Sequence, residues 1–430
     1  MSLTTIALFG LLVLLILMVL RMPISFSMFI VGFFGLLVVA SPRAAYSVLT
    51  TDLWNQFSNY TMSVVPLYIL MGEIVFRTGV TESLFKAAYK WVGQFRGGMA
   101  ATVVLASAGF AAICGSNSAT AAAMGTMALP ELKKYKYDET LSSGVVAAGG
   151  TLGIIIPPST VLLVIALQTE QSVRQLFVAS VIPGLMLTVL FLSTVFYLCK
   201  RNPELGPAGP RVSFKEKISS IIGVVPTLVL FAFVIGGLFK GWFTPTESGA
   251  FGAFGAMVIA LVMRKLTFKN LSESLFGTLK SATMVTTLVI GAMVFGRFLA
   301  ITRLPYVVAD FTSSLQVSPV IILSAILLIY LIGGALMDAL GFLIISIPIF
   351  FPTIIALGYD PVWFAVLLCI VTSAGAITPP VGVTVFVVKG LAPDIPIMSI
   401  FKGACYFMIP YFVIVILLNV FPNVVTFLLS

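Results

Sequence analysis

Residues Gly149-Gly150-Thr151-Leu152-Gly153-Ile154-Ile155-Ile156-Pro157-Pro158-Ser159 read GGTLGIIIPPS, inside a run that is otherwise apolar. Val145-Val146-Ala147-Ala148 precede the stretch and Val161-Leu162-Leu163-Val164-Ile165 follow it. Glycine adds backbone entropy, and proline lacks an N–H and clashes with the turn before it, so this composition disfavours a continuous helix. In a bilayer a broken helix leaves N–H and C=O groups with no water to bond, each at substantial cost. Other parts of the chain must supply their partners.

The setting is a bilayer. Hydrophobic residues make up 60% of the 430 residues and charged ones 9%, against about a quarter charged in soluble domains. The apolar runs are continuous over about 17–25 residues, the length of a helical span, and do not alternate as barrel strands do. The fold class is therefore an all-α polytopic membrane protein. The net charge of +9 collects in short connections, the pattern that orients chains in an inner membrane. No basic face with aromatic platforms lies outside the apolar runs, which argues against nucleic acid as a partner. Cys114, Cys199, Cys369 and Cys405 make no metal spacing and read as packing residues. Histidine is absent, which removes the commonest proton relay. The first apolar run ends at Leu20-Arg21 with no basic segment before it and no small-residue cleavage site after it, so it is expected to be a retained span.

Apolar spans are expected near 2–20, 24–40, 60–76 and 176–198, then 219–239, 246–263, 281–300 and 403–428. Two further spans, 139–168 and 361–388, carry the Gly/Pro interruptions. Two pairs of arms, 98–134 and 318–357, turn at Gly115-Ser116-Asn117-Ser118 and Ala335-Leu336-Met337-Asp338. More polar stretches cover 77–97 and 302–317, and a linker rich in charge, proline and glycine covers 200–217.

Landmarks recur at one offset. Pro130 and Pro352, Tyr137-Asp138 and Tyr359-Asp360, Gly153 and Gly375, and Pro157-Pro158 and Pro379-Pro380 all stand 222 residues apart. The same shift carries Ser116 onto Asp338 and Thr151 onto Ser373. This pattern predicts an internal duplication, 1–199 and 218–430, joined by the linker. Each repeat holds about five spans plus a pair of arms. If each pair is an even crossing, the second repeat enters the membrane upside down. Basic segments at 200–217 and Arg264-Lys265-Lys269 then both face the cytoplasm. Inverted repeats with a site at their interface are characteristic of secondary transporters.

Paired breaks at matching positions suit a binding role. Carbonyls freed at the end of one half-helix favour a cation, and N–H groups opening the next favour an anion. A kink is the plainer reading of a single break. The tip Gly115-Ser116-Asn117-Ser118-Ala119-Thr120 concentrates side-chain oxygens between arms of small residues. Asp338 is an ionisable group among apolar neighbours, which reads as functional by default, as a helix cap, or as both. Glu73, one turn from Arg77, suits a structural ion pair. The donors on offer are hard, mostly uncharged oxygens, which favour sodium over a proton relay, with one site per repeat; a proton on Asp338 is the alternative.

The order GSNSATAAA … LP … GGTLGIIIPPS, then GGALMDALG … GAITPPVG, resembles the large membrane subunit of tripartite ATP-independent periplasmic (TRAP) transporters along essentially the whole chain. The resemblance implies an elevator-type fold, with scaffold spans in 1–77 and a moving core that holds hairpins 98–134 and 318–357 and broken helices 139–168 and 361–388. It implies sodium-driven uptake of an organic anion, an acidic sugar such as sialic acid or a C4-dicarboxylate, in the bacterial inner membrane. A periplasmic binding protein and a small four-span membrane subunit would be partners, the latter expected as a separate chain because nothing precedes the first span. On this resemblance one sodium site uses Gly115, Ser116, Asn117, Gly150, Thr151 and Gly153. The other uses Gly334, Asp338, Ser373, Gly375 and Thr378, and substrate lies near Ser118, Thr120, Ser159 and Gly382. No arginine stands in these motifs to bind a carboxylate, which leaves the task to half-helix N-termini; Arg297 and Lys389 read rather as snorkelling residues. A one-component sodium- or proton-coupled carrier of related fold is the competing reading, and an intramembrane enzyme is disfavoured by the lack of a nucleophile with a base nearby.

Overall fold

The computed structural model describes residues 2–315 and 317–429. Met1 and Ser430, the outer bounds of the expected repeats, and Gln316, within the mixed stretch 302–317, lie outside the described residues.

The chain is helical throughout, with no strand among the described residues. Its first half runs α1 Leu3–Val19, α2 Ile24–Val39, α3 Pro42–Ser58, α4 Val64–Arg77, α5 Val80–Val92, α6 Gly98–Cys114, α7 Asn117–Lys134, α8 Glu139–Gly150, α9 Thr160–Thr169 and α10 Val173–Arg201. The second half runs α11 Phe214–Ile222, α12 Val225–Phe239, α13 Pro245–Val262, α14 Phe268–Ile301, α15 Leu304–Ser314, α16 Pro319–Leu336, α17 Ala339–Ala356, α18 Pro361–Gly375, α19 Val383–Leu391, α20 Ile397–Cys405, α21 Met408–Val420 and α22 Asn423–Thr426. Seven helical stretches among the described residues are long and apolar enough to cross a bilayer, or eight if the bent pair α11–α12 counts as one span. α1 and α2 are 17 and 16 residues long, just under a full span.

Several elements differ from the expected spans. The run 219–239 is bent by 55° between α11 and α12. There Ser213 caps the start of α11 by accepting from the Glu216 N–H, and Pro226 opens α12. Helix thus begins at Phe214, inside the expected linker, and α10 runs to Arg201, so the linker is limited to 202–213. The run 281–300 is the end of a 34-residue helix, α14, capped by Thr267. In the first half, the corresponding region breaks at Asn59, whose side chain instead caps a 3-10 turn over Tyr60–Ser63. The polar stretch 77–97 is helical over α5, which buries Leu84, Phe85 and Ala87 and exposes an i,i+4 ion pair between Lys86 and Glu82.

Packing divides the helices into two groups. In one, α2 packs on α14, α4 on α13 and α14, and α12 on α13. An ion pair between Arg297 and Asp52, 2.9 Å apart, ties α14 to α3. In the other, α6 and α7 pack on α8, α8 on α20, α16 on α18, and α18 on α21. Between α8 and α20 the backbones approach closely. Gly144 and Gly403 meet so tightly that a Cβ on either would strike the other helix's backbone. The linker is bound down to the second group. The Gly97 N–H donates to the Gly206 carbonyl (2.9 Å) and the Gly209 N–H to the Gly93 carbonyl (3.0 Å). The Tyr137 hydroxyl donates to the Pro207 carbonyl at 2.8 Å.

Candidate functional site between the hairpin tips

The first hairpin turns in two residues. Gly115 has φ +65°, the left-handed region that glycine occupies freely, and Ser116 then caps α7 by accepting from the Ala119 N–H at 3.5 Å. The tip reaches both sides of the GGTLGIIIPPS break. The Asn117 side-chain carbonyl accepts the Ile154 N–H at 3.0 Å. The Gly115 carbonyl accepts the Thr160 hydroxyl at 2.8 Å and its N–H at 3.3 Å. These are the partners that the broken backbone required. A Cβ on Gly153 would collide with the Ser116 carbonyl, and one on Gly150 would lie 2.5 Å from Ala121 Cβ. Glycine is needed at both for the tip to seat in the break.

The second hairpin meets its own break differently. The Ala335 carbonyl accepts the N–H groups of Val381 (3.1 Å) and Gly382 (3.0 Å). A Cβ on Gly334 would come 2.6 Å from the Thr372 carbonyl, and one on Gly375 would come 2.6 Å from the Gly334 carbonyl carbon. Asp338 caps α17, with a carboxylate oxygen accepting from the Leu340 N–H at 3.2 Å. It stays exposed to a cavity rather than packing into the break.

That cavity has a volume of about 370 Å³ and gathers both tips. Ser116, Asn117 and Ser118 line it from the first, and Asp338, Ala339 and Leu340 from the second. Thr160 and Ile154 come from the first broken helix. α4 contributes Ile69, Gly72, Glu73 and Phe76, and α14 contributes Ser281, Met284 and Val285. The wall is mostly apolar with a few convergent polar groups, the usual make-up of a small-molecule site.

The remaining motif residues lie off the cavity wall. Thr120 donates its hydroxyl to the Ser116 carbonyl at 2.8 Å. Ser159 caps α9 by accepting from the Leu162 N–H at 3.2 Å. Gly382 takes φ +59° at the start of α19. Thr151 donates to the Ala148 carbonyl at 2.5 Å, and Thr378 to the Ala374 carbonyl at 2.8 Å. Ser373 is fully buried and completes no hydrogen bond. Glu73 pairs with Arg77 (3.1 Å), which also holds Glu273 on α14 (2.7 Å). Arg297 is committed to Asp52 rather than snorkelling. Lys389 donates to the carbonyls of Pro393 and Ile395 at 2.7 and 2.8 Å. Sequence reasoning missed Ser281, Met284 and Val285, since an apolar helix gives no sign of which face meets a cavity. It also missed Glu273, whose partner is 196 residues away.

A many-helix membrane chain with a mid-protein cavity between two hairpin tips is the architecture of a permease. A family profile described as "Tripartite ATP-independent periplasmic transporter, DctM component" matches residues 11–424. The chain belongs to that family. It is 34% identical over 389 residues to the C4-dicarboxylate TRAP transporter large permease protein DctM of Pseudomonas aeruginosa, covering 90% of each chain. It is 29% identical over 403 residues to the sialic acid TRAP transporter large permease protein SiaM of Vibrio cholerae, covering 94% of this chain and 93% of that one. These relatives are transport proteins, not enzymes. In fold it is similar to the Alcanivorax borkumensis YdaH transporter, with a TM-score of 0.66 at 15% identity and 90% of each chain covered.

Proposed function

We propose that this chain performs sodium-coupled secondary active uptake of an organic anion, an acidic sugar such as sialic acid or a C4-dicarboxylate, across the bacterial inner membrane. The anion is received from a periplasmic binding protein, and a small four-span membrane subunit completes the permease. The observation that carries the reading is the cavity walled by both hairpin tips on one side and by α4 and α14 on the other. A substrate there touches the hairpin group and the α2–α4–α13–α14 group together. Sliding of the first group past the second, as one elevator core against its scaffold, would carry the substrate across.

Sodium is the co-substrate that suits the donors. The first tip brings Ser116 against Gly153, Gly115 against Pro158 and Thr160, and Asn117 onto Ile154, so backbone groups meet at contact distance. The second brings Gly334 against Gly375, with Asp338 nearby in sequence to balance charge. The hydroxyls of Thr151 and Thr378 donate their protons to backbone carbonyls, which leaves oxygen lone pairs, beside the carbonyls, for a cation. The N-terminal turn of α9, with Thr160 and Val161 on the cavity wall, is the half-helix start placed to favour a carboxylate in a cavity whose described lining holds no lysine or arginine.

The test is reconstitution of the permease with its small subunit in vesicles. Labelled sialic acid and succinate would be offered with and without binding protein and an inward sodium gradient. Uptake of one of them that requires both additions is the expected result. Uptake without soluble protein would favour a one-component carrier, and uptake indifferent to sodium would remove the coupling ion.

A further inference from the structure

We infer that Tyr411 is a positioning residue that links the two broken helices, so that ordering one cation site favours ordering of the other. The inference rests on the sodium reading above. Thr151 and Ser373 stand 222 residues apart, at matching places beside the two breaks. Thr151 opens the 3-10 turn that follows α8, and Ser373 lies in the last turn of α18. Both are fully buried.

Tyr411, on α21, is 2% exposed and stacks edge-on against Phe191 of α10. Its hydroxyl donates to Thr151 Oγ1 at 2.6 Å, and Thr151 Oγ1 in turn donates to the Ala148 carbonyl. On its other side α21 packs on α18, and Tyr411 shares the wall of a small cavity with Val371 and Ala374, the neighbours of Ser373 on that helix. A phenol can donate one hydrogen bond and still accept another. Three hydroxyls can therefore run in one direction, from Ser373 through Tyr411 and Thr151 to the Ala148 carbonyl. The first link is the open one, since Ser373 completes no hydrogen bond here. A buried hydroxyl without a partner is costly, and closing the link removes that cost.

If Tyr411 were only a packing residue, its hydroxyl would need one partner of any kind. It bonds instead to the matched residue of the first half, and its helix packs on the one that carries the matched residue of the second. The position 222 residues earlier is Val189, which is exposed, so a single phenol serves both breaks. A cation that orders the turn after Ser373 closes Ser373 onto Tyr411. Tyr411 and Thr151 are then held before the first site fills, and the ordering cost is shared between the sites, which is positive cooperativity.

The experiment is a sodium titration of uptake by the reconstituted permease with its partners, comparing the parent protein with Tyr411→Phe. The variant keeps the ring and loses the link. The expected result is a Hill coefficient that falls to about 1 and a half-saturating sodium concentration raised roughly three- to tenfold, as the loss of one buried hydrogen bond implies. A Ser373→Ala change should add less to Tyr411→Phe than it does alone. A merely structural tyrosine would lower thermal stability and leave the Hill coefficient where it was, and that outcome overturns the inference. If Tyr411→Phe fails to assemble, 3-fluorotyrosine at 411 keeps the shape and alters the hydrogen bond. An unmoved sodium curve in that variant overturns the inference equally. A parent protein indifferent to sodium overturns the coupling reading and this inference together, whereas a cooperative parent with unmoved variants overturns the inference alone.

Discussion

The two breaks share a sequence pattern and a position but not an environment. In the first, Pro157 and Pro158 are buried, and an amide from the hairpin tip occupies the gap by taking the Ile154 N–H. In the second, Pro379 and Pro380 are exposed, the gap is held from one side by the Ala335 carbonyl, and the tip residue Asp338 turns to the cavity. The difference follows from what stands at matched tip positions, Ser116 in one and Asp338 in the other. A neutral tip can be sealed into an apolar interior if its hydrogen bonds are met. A carboxylate there needs water or a counter-ion within reach, so its side stays open.

The comparison can be broken first at glycine. Gly153→Leu should abolish uptake and destabilise the permease, because the side chain has only the Ser116 backbone to displace. Gly236→Leu on α12, where a Cβ meets nothing within 4 Å, should leave both intact. Uptake assays and thermal melts in detergent would read both, and a tolerated Gly153→Leu would show that the first break is not sealed.

Asp338→Asn comes next. Loss of the charge at the open tip should raise half-saturating sodium by about tenfold or more, the effect of roughly 1.4 kcal/mol. Unchanged sodium dependence would remove Asp338 from any cation site. Asn117→Ala should act in the other sense, on stability more than on the ion. It leaves the buried Ile154 N–H unpaired, at a cost of about 1–3 kcal/mol. A melting temperature equal to the parent's would count against the seal. The smallest effects are expected at Ser116→Ala and Thr378→Ala. Ser116 loses a long cap bond and Thr378 a bond within its own turn, so each should cost about 1 kcal/mol or less. If Thr378→Ala shifts sodium affinity and Ser116→Ala does not, the hydroxyls are not equivalent members of paired sites.

Much of this architecture was legible because the bilayer makes backbone interruptions conspicuous. The helix interruptions between α6 and α7, α8 and α9, α16 and α17, and α18 and α19 fall where Gly, Pro and polar residues are set in apolar runs. What could not be read was direction. Thr151 looked like a ligand beside Ser116, yet its hydroxyl turns towards Tyr411, and nothing in the apolar run around Tyr411 distinguishes it from a packing residue. Arg297 looked like a snorkelling residue because its partner Asp52 lies 245 residues away, on α3. Caps overrode composition as well. Ser213 and Thr267 start helices inside segments whose charge suggested loops, because a satisfied N-terminus outweighs a few polar side chains.

The linker gives the molecule a short leash. Its first part, to Gly209, is fastened to the base of the first hairpin, and helix resumes at Phe214. Only residues 210–213 hang free between the two anchor points. Fully stretched, the five Cα–Cα steps from Gly209 to Phe214 reach about 18 Å. A motion that pulled those points further apart than this would have to peel the strap from its moorings or unravel the first turn of α11, so the tether would set a limit on travel.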